Sequence, residues 1–318
     1  MRLTVRPLLN ALLYAQHSIL GTLGSHGCFA LQPCVRAKRT WEGRSVKGNS
    51  LVVNSVERKT ACITGATSGI GAAFARKFAK QGYDLVITGR RQEKIEALAK
   101  SLSTECNINV EVIIIELSDD KELKLLIDKL KGIENLEILV NNAGFAKRNL
   151  FYEEDFETHE IMIKVHNLAL VKLCHAVLPK MVSKRKGVII NVSSLSAFTP
   201  FPTYAMYSAT KSFVKLFTES IHLELKGTGV KVQALCPGMT RTDFHEKLGF
   251  ESKDFYKDRG KWKAMTPEEV VDISLQYLDK DKIVCVPGGH YRFISSLFRI
   301  LPQSVIYEMA SSMMRRKK

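Results

Sequence analysis

The stretch KTACITGATSGIGAAFARKFAK, residues 59–80, joins a short apolar run to a helix-length amphipathic segment through three glycines. Gly65, Gly69 and Gly71 can close a tight turn between strand and helix because glycine has no β-carbon. The missing β-carbons also let a pyrophosphate approach the main chain, and the helix N-terminus offers it unpaired N–H donors. The stretch therefore predicts a strand–turn–helix unit for a dinucleotide, with an ordinary glycine-rich turn as the alternative.

Outward from this stretch, short β-branched runs alternate with helix-length amphipathic segments, which is typical of βαβ units and a parallel sheet. The predicted fold class is α/β: one Rossmann-type doubly wound domain with a parallel seven-stranded sheet, helices on both faces, and N- and C-terminal extensions. The predicted strands are Thr60–Thr64, Asp84–Thr88, Val110–Ile115, Leu136–Val140, Gly187–Val192, Val230–Leu235 and Lys282–Val286. The predicted helices are Gly71–Gln81, Gln92–Glu105, Asp119–Lys131, Glu153–Ser183, Thr203–Lys226 and Pro267–Asp279.

Length and composition are those of a soluble globular protein: the chain has 318 residues, 45% of them hydrophobic and 25% charged. The net charge of +15 is concentrated at the two ends, with +7 in residues 1–59 and +5 in residues 291–318, so the middle carries only +3. A nucleic-acid-binding domain carries its basic patch on the folded body. The charge distribution therefore predicts no nucleic-acid partner.

The seven cysteines and eight histidines show no metal-site spacing, since neither a CxxC nor an HExxH pair occurs. We therefore expect no bound metal and reduced cysteines in the core. The cysteines in apolar stretches are Cys62, Cys174, Cys236 and Cys285.

Residues 1–58 form a basic leader. No charged side chain occurs from Pro7 to Val35, yet polar residues interrupt this stretch too often for a membrane span. No acidic residue precedes Glu42, which is typical of an organelle transit peptide. A disordered leader without a targeting role is the alternative. The predicted location is the cytoplasm or, with a transit peptide, a mitochondrion or plastid.

Two later segments lie outside the regular alternation. The polar segment Thr240–Met265 is predicted to be a substrate lid, with a plain surface insertion as the alternative. Residues 291–318 form an amphipathic basic extension that is expected to pack on the domain or on a second copy. Its terminal basic cluster leaves open a peripheral contact with an anionic membrane.

Further segments follow the glycine turn in a fixed order. They are Asn141-Asn142-Ala143-Gly144, Asn167, Ser194, Tyr207-Ser208-Ala209-Thr210-Lys211 and Pro237-Gly238. With the TGxxxGxG turn they closely resemble the short-chain dehydrogenase/reductase family, in its compact single-domain branch, over residues 59–290. The resemblance implies the strand order 3-2-1-4-5-6-7, with a nicotinamide cofactor and a substrate meeting over the carboxyl ends of the strands.

The resemblance also implies which residues bind the cofactor. Glu116 stands where relatives place an Asp near the adenine. The expected set is Thr64, Gly65, Thr67, Ser68, Gly69, Ile70, Gly71, Arg90, Glu116, Asn141, Ala143, Gly144, Tyr207, Lys211, Pro237, Gly238 and Thr240.

The end of the second strand predicts a preference for NADP(H) over NAD(H). NAD-preferring relatives carry an acid where this chain has Gly89, followed by Arg90 and Arg91. A charge-assisted hydrogen bond from an arginine to the 2′-phosphate contributes about 1.5–3 kcal/mol. The alternative is that both arginines are solvated charges at a helix start. The glycine turn also lacks the extra basic residue of many NADP-preferring relatives.

Tyr207 and Lys211 are the predicted acid–base pair. They are four residues apart and therefore share one helix face, about one turn from each other. The positive charge of Lys211 and of the nicotinamide is expected to lower the pKa of the phenol, which is otherwise about 10. Tyr207 could then act in general acid–base catalysis. Tyr204 is the rival phenol, but no lysine lies four residues after it.

The resemblance adds two residues to this pair. Ser194 matches the serine that hydrogen-bonds the substrate oxygen, and Ser193 and Ser196 are its rivals. Asn167 matches the asparagine that holds a water linking Lys211 to solvent.

These residues predict an NADP(H)-dependent oxidoreductase that reduces a carbonyl, or oxidises a secondary alcohol, by hydride transfer. The alternative is a non-catalytic NADP-binding sensor or scaffold. A homo-oligomer is expected by analogy with relatives. Substrate candidates are a 3-oxoacyl compound, a steroid-like compound or a small ketone or aldehyde. Phenylalanines near the expected substrate loops suggest an apolar ligand: Phe198, Phe201, Phe244, Phe250 and Phe255.

Overall fold

The computed structural model describes residues 58–246 and 264–315, so the leader up to residue 57, most of the predicted lid and the last three residues lie outside these ranges. The described strands form one parallel sheet in the order β3-β2-β1-β4-β5-β6-β7. This confirms the predicted fold class and strand order. The strands are β1 (Thr60–Ile63), β2 (Asp84–Gly89), β3 (Val110–Ile114), β4 (Leu136–Asn141), β5 (Gly187–Val192), β6 (Val230–Leu235) and β7 (Val284–Cys285).

Helices cover both faces of the sheet. Ala61 and Ile63 of β1 belong to one buried cluster and Cys62, which points the opposite way, belongs to another. The helices are α1 (Gly69–Lys80), α2 (Gln92–Cys106), α3 (Asp120–Gly132), α4 (Phe156–Ile163), α5 (Ala169–Ser183), α6 (Ala205–Glu224), α7 (Asp243–Glu246), α8 (Pro267–Asp279), α9 (Gly289–Ile300) and α10 (Gln303–Arg315).

The predicted helix Glu153–Ser183 is interrupted. After a 3₁₀ turn at Phe151–Glu153, a π turn at Lys164–Leu168 joins α4 to α5. Such π turns occur frequently at functional sites, and this one contains His166 and Asn167. Within the described ranges, the 28-residue helical run Phe156–Ser183 alone has the length and apolar composition of a membrane span. Its inner face is part of the core.

The predicted extension begins inside a regular element, since its boundary at residue 290 falls within α9. Tyr291 and Ser295 are buried against the domain, as expected for an extension that packs on it. Phe293, Leu297 and Ile300 form an exposed stripe on the other side. The membrane contact stays a prediction.

The four cysteines expected in the core are buried and free. Among the residues that the structure describes, no group of three His, Cys, Asp or Glu side chains is placed to hold a metal.

Candidate active site

The glycine turn after β1 leaves no room for side chains. Gly65 and Gly69 have φ angles of +69° and +57°, which other residues rarely adopt. A β-carbon on Gly71 would lie 2.4 Å from the carbonyl oxygen of Gly65 and 2.5 Å from Nδ2 of Asn142. The turn therefore requires glycine at these positions for both conformation and space.

Residues after β4 hold the turn in place. Thr64 Oγ1 accepts hydrogen bonds from the N–H groups of Asn142, at 3.0 Å, and Ala143, at 3.1 Å. In return, Nδ2 of Asn142 donates to the carbonyls of Thr64 and Gly65, each at 3.0 Å. Asn142 is absent from the predicted set, although its position beside the turn follows from the pairing of β1 with β4.

The side chain of Asn141, which was predicted to bind the cofactor, lies inside the sheet. Its Nδ2 donates to Oδ1 of Asn191 at 2.9 Å and to the sulfur of Cys174 at 3.3 Å. This asparagine joins β4 to β5, because Asn141 and Asn191 are register partners in the two strands.

The start of α1 fits a pyrophosphate. Ser68 precedes the helix without a capping side-chain hydrogen bond, and the first turn carries no acid. The first N–H groups of a helix lack partners within it and favour an anion. Together with the missing β-carbons, the segment from Thr67 to Ile70 forms a suitable cradle for the phosphates of a dinucleotide.

Arg91 lies directly on this turn. Its Nη2 donates to Thr67 Oγ1 at 2.6 Å and to Ser68 Oγ at 2.7 Å, and its Nη1 pairs with Asp243 at 3.2 Å. A β-carbon on Gly89 would lie 2.4 Å from Cγ2 of Thr67, so a side chain at position 89 would displace this arrangement. The predicted set did not include Arg91, and its only sequence signal is the arginine doublet.

Arg90, the predicted ligand of the 2′-phosphate, points to the neighbouring strand. It pairs with Glu116 at 2.8 Å, and its side chain is 64% exposed. Burial disfavours ionisation of Glu116, but hydrogen bonds from Arg90 and Ser118 outweigh it and hold the pKa of Glu116 below its usual value. Both predicted residues thus lie together at the ends of β2 and β3.

Tyr207 is enclosed by aromatic rings near the start of α6. His166, Tyr204 and Phe244 have ring centroids 5.9, 6.4 and 5.9 Å from its own. Burial raises the pKa of Tyr207 to about 12, while the hydroxyl of Ser194 acts to lower it. The expectation of a lowered pKa included the charge of the nicotinamide. Within the protein chain itself the pKa is raised, because loss of water around the phenolate outweighs the hydrogen bond from Ser194.

Ser194 is the serine that interacts with Tyr207, in preference to its two rivals. Its Oγ accepts the N–H of Ser196 at 3.1 Å, so its own proton stays free to be donated. Ser193 instead donates to the main-chain carbonyl of Lys211 at 2.7 Å and thereby fixes α6. Ser196 has a buried hydroxyl with no hydrogen-bond partner among the residues that the structure describes.

Lys211 is buried beneath Tyr207. Its Nζ donates to the carbonyl of Val192, the last residue of β5, at 2.9 Å. Burial lowers the pKa of Lys211 to about 8. A small cavity at the carboxyl ends of β1, β4 and β5 is lined by Lys211, His166, Thr64 and Ala143, which places the amine next to the glycine turn.

The π turn presents two side chains to α6. Asn167, the predicted fourth catalytic residue, donates through Nδ2 to the carbonyl of Thr210 at 3.0 Å. His166 lies near the amine, since a β-carbon on Gly144 would be 3.0 Å from His166 Nε2 and 3.4 Å from Lys211 Nζ. The sequence prediction missed His166, whose signal is an isolated histidine in an apolar helix.

The segment after β6 closes the site from the other side. A β-carbon on Gly238 would lie 2.6 Å from the ring of Tyr291, and Thr240 Oγ1 donates to the carbonyl of Gly238 at 3.2 Å. The carbonyl of Pro237 accepts the N–H of Leu195 at 2.9 Å. A β-carbon on Gly69 would lie 2.8 Å from Cγ2 of Thr242, so this segment reaches the glycine turn.

Among the predicted phenylalanines that the structure describes, Phe244 has its ring in contact with that of Tyr207, and Phe198 packs against α9 instead. Phe250 and Phe255 lie outside the described residues. So does most of the predicted lid, whose two described ends are joined by a hydrogen bond of 2.9 Å from the N–H of Arg241 to the carbonyl of Met265.

The chain is similar in sequence to known dehydrogenases and reductases. A family model described as short chain dehydrogenase matches residues 59–252. The chain is 38% identical over 185 residues to sulfoacetaldehyde reductase 2 of Chromohalobacter salexigens, covering 57% of this chain and 73% of that protein. It is 30% identical over 313 residues to the very-long-chain 3-oxoacyl-CoA reductase of Anas platyrhynchos, covering 95% of this chain and 89% of that protein.

Among solved structures, a short-chain dehydrogenase from Sphingobium yanoikuyae in complex with NADPH has a TM-score of 0.68 and 32% sequence identity. The match covers 77% of this chain and 97% of that one. The matched family region spans more than half of the chain and contains both the glycine turn and the Tyr207–Lys211 pair. The chain therefore belongs to the short-chain dehydrogenase/reductase family of oxidoreductases.

Proposed function

We propose that this protein is an NADP(H)-dependent reductase that transfers a hydride to the carbonyl carbon of a small substrate, with Tyr207 as the proton donor. One observation carries the proposal: Tyr207, Ser194 and Lys211 meet at the carboxyl end of β5, beside the glycine turn. Such a cluster combines a proton donor, Tyr207, with a hydrogen-bond donor for the substrate oxygen, Ser194, and a charged amine, Lys211, that holds a further proton.

Each side chain has a distinct part in the reaction. When bound, the cofactor supplies the hydride. Ser194 can direct its free hydroxyl proton at the substrate oxygen and hold it beside Tyr207. With a pKa of about 12, Tyr207 is protonated at neutral pH and can protonate the oxygen as it gains negative charge. Lys211 lies close enough to favour the phenolate that results.

The preference for NADP(H) is part of the proposal. A carboxylate is missing at position 89, and two guanidinium groups follow it at the edge of the cofactor cradle. A 2′-phosphate would be repelled by an acid there and attracted by arginine. The related dehydrogenase from Sphingobium yanoikuyae, which was solved with NADPH, supports this choice.

For the substrate we propose a carbonyl compound with an apolar part, of the 3-oxoacyl, steroid-like or small ketone or aldehyde type. Phe244 packs on Tyr207, and a second cavity adjoins the same phenol. The lining of this cavity is mixed, with the apolar side chains of Phe151, Met162, Tyr204 and Met206 beside the polar or charged ones of Lys147, Asn149, Glu154 and His159. Two relatives are named as reductases of an aldehyde and of an acyl-CoA ketone.

The test is a panel of 3-oxoacyl thioesters, steroid ketones and small aldehydes, with NADPH consumption measured by absorbance. We expect oxidation of NADPH with at least one class, and a lower rate with NADH. Binding of NADPH without turnover of any class would favour the alternative, a sensor or scaffold of the same fold.

We further propose that the protein forms a homo-oligomer through α6. Phe213, Leu216 and Leu223 are exposed on one side of this helix, and Leu216 is 65% exposed. Ile163 at the end of α4, which packs beside α6, is exposed as well. Exposed apolar side chains grouped on one face of a helix favour burial against a second copy.

A further inference from the structure

His166 is a fully buried ring in which both nitrogens have hydrogen-bond partners. It is 1% exposed. Nε2 lies 3.0 Å from the main-chain nitrogen of Phe145, and Nδ1 lies 2.9 Å from Oγ1 of Thr210. A main-chain N–H can only donate, so Nε2 has to be the unprotonated nitrogen. The neutral ring therefore carries its hydrogen on Nδ1 and donates it to Thr210.

These contacts connect two parts of the site. Thr210 Oγ1 accepts from His166 and donates to the carbonyl of Tyr207 at 2.9 Å. A chain of three hydrogen bonds thus runs from Phe145, directly after the Asn141–Gly144 segment, through the ring to α6. A β-carbon on Gly144 would lie 3.0 Å from His166 Nε2 and 3.4 Å from Lys211 Nζ, so both side chains approach the same glycine. The ring is therefore a tie between the segment that supports the glycine turn and the helix that carries the acid–base pair.

We propose that His166 is a positioning residue, which in its neutral Nδ1–H form holds the backbone at Gly144–Phe145 against the Tyr207–Lys211 turn of α6. The inference rests on the proposed function, because its consequence for rate requires a reaction at Tyr207. The part played by His166 is geometric: it fixes the distance between the cofactor side and the proton donor.

Protonation of the ring would break this tie. Nε2 would become a donor facing the N–H of Phe145, and a second positive charge would lie beside Lys211. The titratable groups packed against the ring are Lys211 and Tyr207, and in the described part of the chain no carboxylate contributes to its pKa. Burial, and then the charge of Lys211, hold the pKa of His166 well below its ordinary value.

The sign of the pH effect follows from this direction. The folded protein favours the neutral ring more than the unfolded chain does, so the tie is complete above about pH 6.5 and is lost as the pH falls through the lower folded value. Activity that depends on the tie should decline on the acid side only.

The decisive variants are His166→Phe and His166→Gln. Phenylalanine keeps the ring but removes both hydrogen bonds. Glutamine places an amide oxygen near the position of Nε2, where it can accept the N–H of Phe145, and it does not titrate. His175→Gln is the matched control, since His175 is exposed on α5 in the same helical run.

Steady-state kinetics with NADPH and the best carbonyl substrate give the first readout. We expect His166→Phe to lower kcat about tenfold while KM for NADPH changes less than about threefold, as for lost positioning without lost binding. His166→Gln keeps the acceptor for Phe145 but loses the donor to Thr210, so its kcat at pH 7 should lie between those of the wild type and His166→Phe, and it should lack the acid-side decline of the wild type. A wild-type kcat in His166→Phe, or an unchanged acid-side decline in His166→Gln, would overturn the proposal.

Nitrogen-15 NMR of the histidine rings gives a readout that needs neither turnover nor the phenylalanine variant. The wild-type resonances that are missing from the spectrum of His166→Gln belong to His166. They should report the Nδ1–H tautomer and show that the ring stays neutral below about pH 6. An Nε2–H tautomer, or titration near pH 6.5, would sink the inference. If the wild type turns over no carbonyl substrate, the proposed function fails while this measurement still decides the state of His166.

Discussion

The Nζ of Lys211 lies 5.8 Å from the ring centroid of Tyr207 on the same face of α6. Burial acts on the two groups in opposite directions, raising the pKa of the phenol to about 12 and lowering that of the amine to about 8. Removal from water disfavours the charged form of each group. At neutral pH the phenol is therefore protonated and the ammonium is largely charged, which is the state that suits carbonyl reduction.

This relationship predicts a pH dependence. Lys211 releases its proton near pH 8, and the charge that favours the phenolate is then lost. We expect the rate of carbonyl reduction to be steady near neutrality and to fall above about pH 8. In Lys211→Met the break near pH 8 should be absent, at a much lower rate. A break that persists in Lys211→Met would assign it to another group.

Tyr207→Phe removes only the phenol oxygen. We expect kcat to fall by about 10²-fold or more, because general acid catalysis contributes that much. Fluorescence titration should show unchanged affinity for NADPH, since the ring stays in place. Tyr307→Phe on exposed α10 is the control. Normal turnover in Tyr207→Phe would contradict the assigned proton donor.

The two arginines after β2 should differ in their effects. Arg91→Gln removes the guanidinium held on Thr67 and Ser68, so KM for NADPH should rise about tenfold, with little change for NADH. Arg90→Gln should have a smaller effect, because that side chain is exposed and paired with Glu116. Equal KM values for NADPH and NADH in the wild type would refute the cofactor preference.

Gly71→Ala should damage the cofactor cradle. The added methyl would overlap the carbonyl of Gly65 and the amide of Asn142. We expect NADPH affinity to fall at least about tenfold, measured by calorimetry. Gly132→Ala at the end of α3 is the control, because a β-carbon there meets open space. That variant should be neutral or stabilised by about 0.5–1 kcal/mol in thermal unfolding.

The apolar face of α6 predicts a change of oligomeric state. Leu216→Asp combined with Leu223→Asp places two charges on this face, and both positions are exposed in the single chain. Sedimentation should show an oligomer for the wild type and a monomer for the double variant, with unchanged thermal unfolding of the monomer. A wild type that sediments as a monomer at micromolar concentration would remove the proposal.

Much of the fold follows from local sequence. The β-branched runs and the amphipathic periods gave the strands and most helices within a few residues, because burial on both faces of a sheet selects them. The exceptions lie where the local signal is weak. Strand β7 shrinks to Val284–Cys285, and a π turn interrupts the long helix.

Within the candidate site, the sequence by itself determined the glycine turn and the Tyr207–Lys211 pair, since both depend on spacing along one element. The tertiary structure alone added a neighbour to each of three predicted residues: His166 beside Asn167, Asn142 beside Asn141 and Arg91 beside Arg90. One residue rotates a side chain by about 100° on a helix and by about half a turn on a strand. The direction of the Tyr207 pKa shift was decided in the same way, because the rings that exclude water from it come from segments distant in the chain.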